Sequence, residues 1–272
     1  MPAPLAFLIP SRDRPATLAR WLPSVIRAAQ HCGAEILICD QSAQPFPAAA
    51  QVQVLHRPAL SGLPAARNVL LAATTAPVVC FLDDDCAIAS DFGLRLLSHA
   101  RQEPTALGWG PIVELRPIGL RRLFRVAQLG ALADDRRLVG RRSDRPARAL
   151  FGCAMAFRSA AIKAVGFDAR RAGYALGEDL DACRRVAEQA GISQPFQWCA
   201  DLRAVHHEER SGRADRWQRG RDKGRFLHWL ARRHGHGNPA TLLHLALALA
   251  AACAGRGREP AHPLAVLAGV LS

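Results

Sequence analysis

The stretch VVCFLDDDC, residues 78 to 86, passes directly from an apolar run to three consecutive carboxylates. Adjacent like charges repel one another and acidic residues are depleted in strands, so packing gives no reason for Asp83, Asp84 and Asp85 at this place. A bound cation would relieve the repulsion. A solvated turn after a strand is the alternative, and the triplet alone does not decide between the two.

The residues around this stretch predict an α/β fold. Short apolar runs alternate with helical patterns through the first third of the chain, which is typical of a mostly parallel sheet flanked by helices. Because ligands bind beyond the carboxyl ends of such strands, Asp13, Asp40 and the acidic triplet are expected to converge on one edge. The predicted strands are 5–10, 35–40, 52–57 and 76–82, and the predicted helices are 15–33 and one within 61–75.

Convergence at a strand end favours a metal site. An Asp-x-Asp pair offers two hard oxygen ligands, which suit Mg²⁺ or Mn²⁺ shared with substrate phosphates. Two other acidic motifs fail on the same letters. The phosphohydrolase motif needs Thr or Val where Ala87 stands, and the prenyltransferase motif DDxxD finds only Ala87 and Ile88.

Six blocks follow one another along the chain: FLIPSRDRP, EILICDQS, SGLPAARN, VVCFLDDDC, GCAMAFRSAAIKAVGFD and GEDLDACRRVAEQAG. In this order and near this spacing they resemble family 2 glycosyltransferases with the GT-A fold. The resemblance covers roughly residues 4 to 207. It implies an enzyme that moves a sugar, usually with inversion, from a UDP-, GDP- or dTDP-linked donor to an acceptor hydroxyl, with Mn²⁺ or Mg²⁺ as cofactor.

The resemblance also implies roles for residues on the donor side. Pro10, Ser11 and Asp40 match positions that line the pocket for the nucleotide base and ribose. Arg67 matches a basic residue beside the diphosphate. The motif that binds metal and nucleotide matches Asp83 and Asp85, with Asp84 between them on the nucleotide side. The letters CDQS depart from the family, which more often has two acidic residues and Gly there, so the ribose contacts are less well defined.

On the acceptor side, Glu178 and Asp179 match an acidic pair, with Asp179 in the place of the general base. The alternative is that both carboxylates only favour the start of a helix. A histidine after the last strand often completes the metal site in this family, and RAVHHEE offers His206 or His207. A nucleotide contact for Arg12 and Asp13, or an ordinary loop role, is left open by the sequence.

The chain is strongly basic, with 36 Lys and Arg against 23 Asp and Glu and a formal charge of +13, carried almost wholly by arginine. Basic residues concentrate at 136–148 and 210–225, which indicates anionic substrates or an acidic membrane face as partners. The first segment could be a lid over bound donor, a solvated loop, or a lipid-facing patch together with the apolar stretch 240–254. No nucleic-acid-reading motif is present, so nucleic acid is not an expected partner.

The eight cysteines show no zinc spacing, and the first residues run directly into a folded segment. A cytoplasmic location, with or without contact to the inner face of the membrane, is therefore expected. The predicted organisation is a GT-A domain at 1–210 and a basic and apolar helical extension at 211–272.

The predicted function is a metal-dependent inverting glycosyltransferase of the hexosyl-transferring kind, acting on a carbohydrate or lipid-linked acceptor in cell-envelope polysaccharide or glycolipid synthesis. The alternative is an inactive protein that binds sugar nucleotides or serves as a membrane scaffold. A nucleotidyltransferase is disfavoured, because PSRDRPATL lacks the glycines of its phosphate-binding loop.

Overall fold

A computed structural model describes most of the chain: residues 2–47, 50–111, 144–170, 175–207, 216–234 and 262–271, with positions 246, 249, 250 and 253. Residues 136–143 of the predicted lid segment 136–148 lie outside the described residues. Most of the apolar stretch 240–254 lies outside them as well. The described residues fall into two compact units. The larger unit contains the described residues up to 207, except 175–177. The smaller unit contains 175–177 and the described residues from 216 onwards. The predicted domain bounds stay a prediction.

The larger unit is built on one eight-stranded sheet in the order β3-β2-β1-β4-β8-β6-β9-β7. The first four strands in that order are mutually parallel, and β8 runs antiparallel to both β4 and β6. The sheet is therefore mostly parallel, as predicted. Its strands are β1 Leu5–Ser11, β2 Glu35–Asp40, β3 Gln53–His56, β4 Val78–Leu82, β6 Gly108–Pro111, β7 Arg145–Ala147, β8 Ala154–Arg158 and β9 Phe196–Cys199.

Helices flank this sheet, and local sequence signals mark where the first begins and ends. Helix α1 begins at Pro15, where a missing N–H costs nothing, and ends before Gly33, which takes the left-handed conformation at φ 67°. The helices of the larger unit are α1 Pro15–Cys32, α2 Leu63–Ala72, α3 Phe92–Gln102, α4 Ser159–Val165 and α5 Glu178–Ala190. The predicted strands and helices of the first third are confirmed to within two or three residues at each end.

The core lies between the sheet and these helices. All seven residues of β1 are buried, and so are all five of β4, which explains why both strands read as continuous apolar runs. Trp109 and Trp198 are 0% and 1% exposed, so both pack in the interior. All eight cysteines are free thiols.

A short antiparallel ribbon completes the larger unit. Strand β5, Cys86–Ile88, pairs with β10, Ala204–His206, so that His206 lies opposite Cys86. This pairing joins the residues after the acidic triplet to the end of the described part of the unit. The ribbon therefore decides which late residue reaches the triplet.

The smaller unit contains two packed helices, α6 Arg216–His234 and α7 Pro263–Val270. Leu227 and Val266 form a buried apolar cluster between them, with Leu249 and Val270 packed against it. Among the described residues, no helix has both the length and the apolar character needed to cross a bilayer.

Candidate active site

The three carboxylates form a tight turn at the end of β4. The amide of Asp83 donates to the carbonyl of Cys153 at 3.1 Å, and the amide of Cys86 donates back to the carbonyl of Asp83 at 3.0 Å. The parallel register sets Ser11 beside Asp40, at the carboxyl ends of β1 and β2. The turn therefore lies at the edge of the sheet where a ligand is expected.

Asp83, Asp85 and His206 bring three donor atoms within 4.8 Å of one another. The Nε2 atom of His206 lies 3.0 Å from Asp85 Oδ1 and 3.7 Å from Asp83 Oδ2. The other oxygen of each carboxylate is held by an arginine: Arg67 contacts Asp83 Oδ1 at 3.3 Å and Arg14 contacts Asp85 Oδ2 at 3.0 Å. Two carboxylate oxygens and an imidazole nitrogen that face one another form a donor set that fits Mn²⁺ or Mg²⁺.

His207 has a different position. Its ring stacks on Trp21 of α1, with ring centroids 3.5 Å apart and an interplanar angle of 10°. Its backbone amide donates to the carbonyl of Asp85 at 3.0 Å. Of the two histidines that the sequence offered, the structure brings His206 to the carboxylates and uses His207 to fasten the ribbon to α1.

Asp84 is bound by Ser11 and by Arg14, which also bonds Asp85. The Ser11 hydroxyl donates to Asp84 Oδ2 at 2.8 Å, and Arg14 donates to Asp84 Oδ1 at 2.5 Å. Burial raises the pKa of Asp84 to about 7, although Arg14 and Ser11 both act to lower it. Burial acts in the same direction on Asp85, but the His206 ring and Arg14 outweigh burial and hold the pKa of Asp85 below its ordinary value.

Arg67 is a buried link between the acidic turn and the acidic pair of α5. Its side chain is 1% exposed and donates to Asp83, to Glu178 and, at 2.9 Å, to the carbonyl of Gly152. The rings of Phe81 and Phe167 lie 5.8 and 5.5 Å from its guanidinium carbon. A diphosphate contact for Arg67 stays a prediction, since the contacts that the structure shows for its guanidinium are to these groups.

The two acidic residues at the start of α5 have different surroundings. Glu178 is 5% exposed and pairs with Arg67, and burial raises the pKa of Glu178 to about 7 against the effect of that arginine. Asp179 is half-buried, and its carboxylate accepts hydrogen bonds from the amides of Gly152 at 2.9 Å and Leu180 at 2.8 Å. Asp179 is therefore oriented by backbone and is more open to solvent than Glu178.

The remaining predicted donor-side residues lie after β1 and β2. Asp40 is 1% exposed, and its carboxylate accepts the amides of Ser42 at 3.0 Å and Phe46 at 2.7 Å, so this side chain shapes the loop after β2. Asp13 has a left-handed φ of 53°, and its amide donates to Ser42 Oγ. Arg12 is exposed and pairs only loosely with Asp13, at 3.6 Å. Pro10, in β1, is buried.

Sequence reasoning missed two residues that shape the site, Arg14 and Trp21. Each acts on residues that are distant in the chain, so no local pattern marks its role. Arg14 lies in the loop between β1 and α1 that the sequence placed at the ligand edge, and that position was the available signal. Trp21 had no signal, because its contact with His207 depends on the β5/β10 ribbon.

A mostly parallel sheet with an acidic turn and a histidine at its ligand edge is the arrangement of nucleotide-sugar transferases with the GT-A fold. The sequence profile described as "Glycosyl transferase family 2" matches residues 6–165, more than half of the chain. The protein belongs to glycosyltransferase family 2 and is a transferase. No curated protein matches the chain in sequence.

Solved structures share this fold at low identity. Mannosyltransferase PcManGT from Pyrobaculum calidifontis, in complex with GDP-Man and Mn²⁺, is 18% identical, with a TM-score of 0.60 over 100% of this chain and 82% of its own. TarS from S. aureus, in complex with UDP-GlcNAc, is 12% identical, with a TM-score of 0.56 over 89% and 70%. GalNAc-T7, with UDP, GalNAc and Mn²⁺, is 15% identical, with a TM-score of 0.56 over 88% and 52%.

Proposed function

We propose that this protein is a metal-dependent, inverting glycosyltransferase that moves a sugar from a nucleotide-diphosphate donor to an acceptor hydroxyl. The observation that carries the proposal is the convergence of Asp83 Oδ2, Asp85 Oδ1 and His206 Nε2 at the ligand edge of the sheet. Solved relatives of the fold that were crystallised with Mn²⁺ support the same reading.

The three donors would hold Mn²⁺ or Mg²⁺, whose charge offsets the negative charge that develops on the departing diphosphate. Neighbouring side chains orient the two ligand carboxylates. Arg14 and Arg67 each hold one oxygen of a ligand carboxylate and so fix the direction of the other oxygen. Ser11 and Arg14 fasten Asp84, which keeps the turn in one conformation.

Asp179 is the residue that we assign as general base. Its two backbone hydrogen bonds fix the orientation of the carboxylate, and its partial exposure leaves room for an acceptor hydroxyl. The proton of that hydroxyl would pass to Asp179 while the hydroxyl oxygen forms the new bond to the sugar carbon. The bond from that carbon to the diphosphate oxygen breaks in the same step, and its electron pair leaves with the nucleotide diphosphate. Glu178 supports the base indirectly, through Arg67 and the carbonyl of Gly152.

The donor is proposed to be UDP-, GDP- or dTDP-linked, and the acceptor a carbohydrate or a lipid-linked sugar of the cell envelope. The three structures described above contain GDP-Man, UDP-GlcNAc, and UDP with GalNAc. The net charge of +13 suits an anionic donor and an anionic lipid surface. We therefore also propose a cytoplasmic protein with peripheral contact to the inner face of the membrane.

The test is isothermal titration of the protein with UDP, GDP, dTDP and CDP, each with Mn²⁺ and with EDTA. We expect one nucleotide to bind in the presence of metal and lose that binding in Asp85→Asn. The control is Asp168→Asn, which removes a carboxylate paired with the exposed Arg170 far from the acidic turn in sequence. Asp179→Asn should retain nucleotide binding and lose turnover.

Three results would each contradict part of the proposal. If no nucleotide binds in the presence of metal, the scaffold alternative is favoured. Full turnover in Asp179→Asn would show that Asp179 is not the general base. Retained binding in Asp85→Asn together with loss in Asp168→Asn would show that the acidic turn does not hold the metal.

A further inference from the structure

Arg67 lies between the acidic turn and the start of α5, in the interior of the larger unit. Its side chain is 1% exposed, whereas that of Asp83 is 26% exposed. The rings of Phe81 and Phe167 flank the guanidinium, with their centroids within 6 Å of its central carbon. A guanidinium enclosed in this way reaches a bound ligand only if it first leaves its protein partners.

The two terminal nitrogens of Arg67 donate to three acceptors. Nη1 donates to Glu178, and Nη2 donates to Asp83 Oδ1 at 3.3 Å and to the carbonyl of Gly152 at 2.9 Å. Each terminal nitrogen carries two hydrogens, so both hydrogens of Nη2 are used. The acceptors belong to the turn after β4, to the segment before β8 and to the first residue of α5. One side chain therefore joins three segments of the site.

Gly152 extends this connection to Asp179. Its carbonyl accepts from Arg67, and its amide donates to Asp179 Oδ2 at 2.9 Å. A Cβ at Gly152 would lie 3.4 Å from Arg67 Nη2 and 3.2 Å from Asp179 Oδ2, so the glycine backbone fills the space between the two side chains. The next residue adds a further link, because the carbonyl of Cys153 accepts from the amide of Asp83 at 3.1 Å. Hydrogen bonds thus run from the acidic turn to Asp179 without a break.

We infer that Arg67 is a positioning residue that couples the metal site to the general base, and that it does not bind the donor diphosphate. It fixes the carboxylate of Asp83 and the start of α5 in one geometry. Attack on the sugar carbon needs the hydroxyl and the departing diphosphate in line, so the separation of metal and base must be held closely. This inference rests on the metal-dependent transferase function proposed above.

The charges around Arg67 favour this role over a diphosphate contact. The guanidinium faces two carboxylates, those of Asp83 and Glu178, so its charge is already offset. Moving it to a phosphate would take the cation away from Glu178, which is 5% exposed. Separating a buried carboxylate from its cation is strongly unfavourable. Arg67 therefore stays with these carboxylates when the donor binds.

Arg67→Lys separates the two roles, because lysine keeps the charge but lacks the planar fork of arginine. A lysine binds phosphate well as a point charge, so a diphosphate contact would survive this change. A single ammonium cannot reproduce the fork that meets Asp83, Gly152 and Glu178. We expect kcat at saturating Mn²⁺ and donor, and the affinity of the protein alone for Mn²⁺, each to fall about tenfold or more. The affinity for UDP, GDP, dTDP or CDP, whichever binds the wild type, should be unchanged at saturating Mn²⁺.

The matched control is Arg158→Lys. Arg158 also donates to backbone carbonyls, and its guanidinium carbon lies 5.1 Å from the centroid of the Trp109 ring. It pairs with Val78, the first residue of β4, so it lies at the end of that strand away from the acidic turn. Both lysine variants should lower Tm, and only Arg67→Lys should lower kcat. This comparison separates positioning from a general loss of stability.

Glu178→Gln tests the same link from its other end, and it keeps the test available if Arg67→Lys does not fold. Glutamine keeps the shape of the side chain but removes the charge that Arg67 meets. We expect kcat to fall about tenfold, because α5 is held less firmly. The double variant Arg67→Lys/Glu178→Gln should lose little more kcat and Mn²⁺ affinity than Arg67→Lys alone, because residues that act as one unit are not additive.

Several results would overturn the inference while leaving wild-type transfer intact. These are a wild-type kcat in Arg67→Lys or Glu178→Gln, additive losses in the double variant, and an equal loss of kcat in Arg158→Lys. A loss in Arg67→Lys that is confined to nucleotide affinity at saturating Mn²⁺ would assign Arg67 to the diphosphate instead. A wild-type protein that neither binds Mn²⁺ nor transfers sugar would contradict the proposed function itself, and the inference with it.

Discussion

Arg14 should contribute more to the stability of the fold than any neighbouring charge in its loop. Its side chain is 14% exposed and bonds both Asp84 and Asp85. Removing one partner of a buried ion pair costs about 3 to 5 kcal/mol. Ser11 would still bond Asp84, and His206 would still face Asp85, so we expect Arg14→Ala to lower the free energy of unfolding by about 3 kcal/mol.

The assay is thermal unfolding followed by circular dichroism in EDTA, so that bound metal does not mask the loss. For a unit of this size, about 3 kcal/mol corresponds to a fall in Tm of roughly 6 to 12 °C. The control is Arg12→Ala, two residues away, whose side chain is 58% exposed and pairs at 3.6 Å with Asp13. That change should stay within about 0.5 kcal/mol of wild type.

Arg14→Lys provides a further check. Lysine keeps the charge but cannot present two parallel N–H groups to two carboxylates, so we expect it to recover only part of the loss. Equal Tm values for Arg14→Ala and Arg12→Ala would refute the reasoning, because the buried pairing would then contribute no more than an exposed one.

Three other substitutions test contacts elsewhere in the chain. Gly152→Ala would put a methyl group 3.2 Å from Asp179 Oδ2. In steady-state assays kcat should therefore fall about tenfold, with the KM for the donor unchanged. A normal kcat would argue against Asp179 as the base. Trp21→Ala removes the ring stacked on His207, so Mn²⁺ affinity measured by titration should fall about tenfold. Trp21→Phe should keep most of that affinity. Equal Mn²⁺ affinities in the two variants would contradict a role of Trp21 in positioning the ribbon that carries His206. Gly224→Ala would ordinarily stabilise a helix by about 1 kcal/mol, but here it should lower Tm because a Cβ at Gly224 would meet the carbonyl of Val266 in α7, and a raised Tm would be the opposite result.

Most of the parallel half of the sheet was predictable from the sequence, since strands buried on both faces read as continuous apolar runs. Strands β1 and β4 show this pattern, and Gly33 marked the end of α1. The antiparallel strands of the second half were harder to predict. Strands β7 and β10 have three residues each, too few to show an alternating pattern.

The site was predictable only as far as residues follow strand ends. The acidic triplet follows a buried strand, and its position at the ligand edge required no more than that. The choice between His206 and His207 depends on the register of β10 against β5, which no local pattern reveals. The sequence assigned Arg67 to the diphosphate. Its contacts with Glu178 and Asp83 join separate segments of the chain, so no local pattern predicted these contacts.

The β5/β10 ribbon has a consequence for the order of events during synthesis. The carboxylates of Asp83 and Asp85 emerge from the ribosome long before His206, and the imidazole reaches them only when β10 pairs with β5. Contacts between such distant segments form late, because the intervening chain must first be ordered. For the metal site proposed above, a nascent chain that stops before Ala204 would offer two carboxylates at most, and the third donor would arrive only once the larger unit is complete.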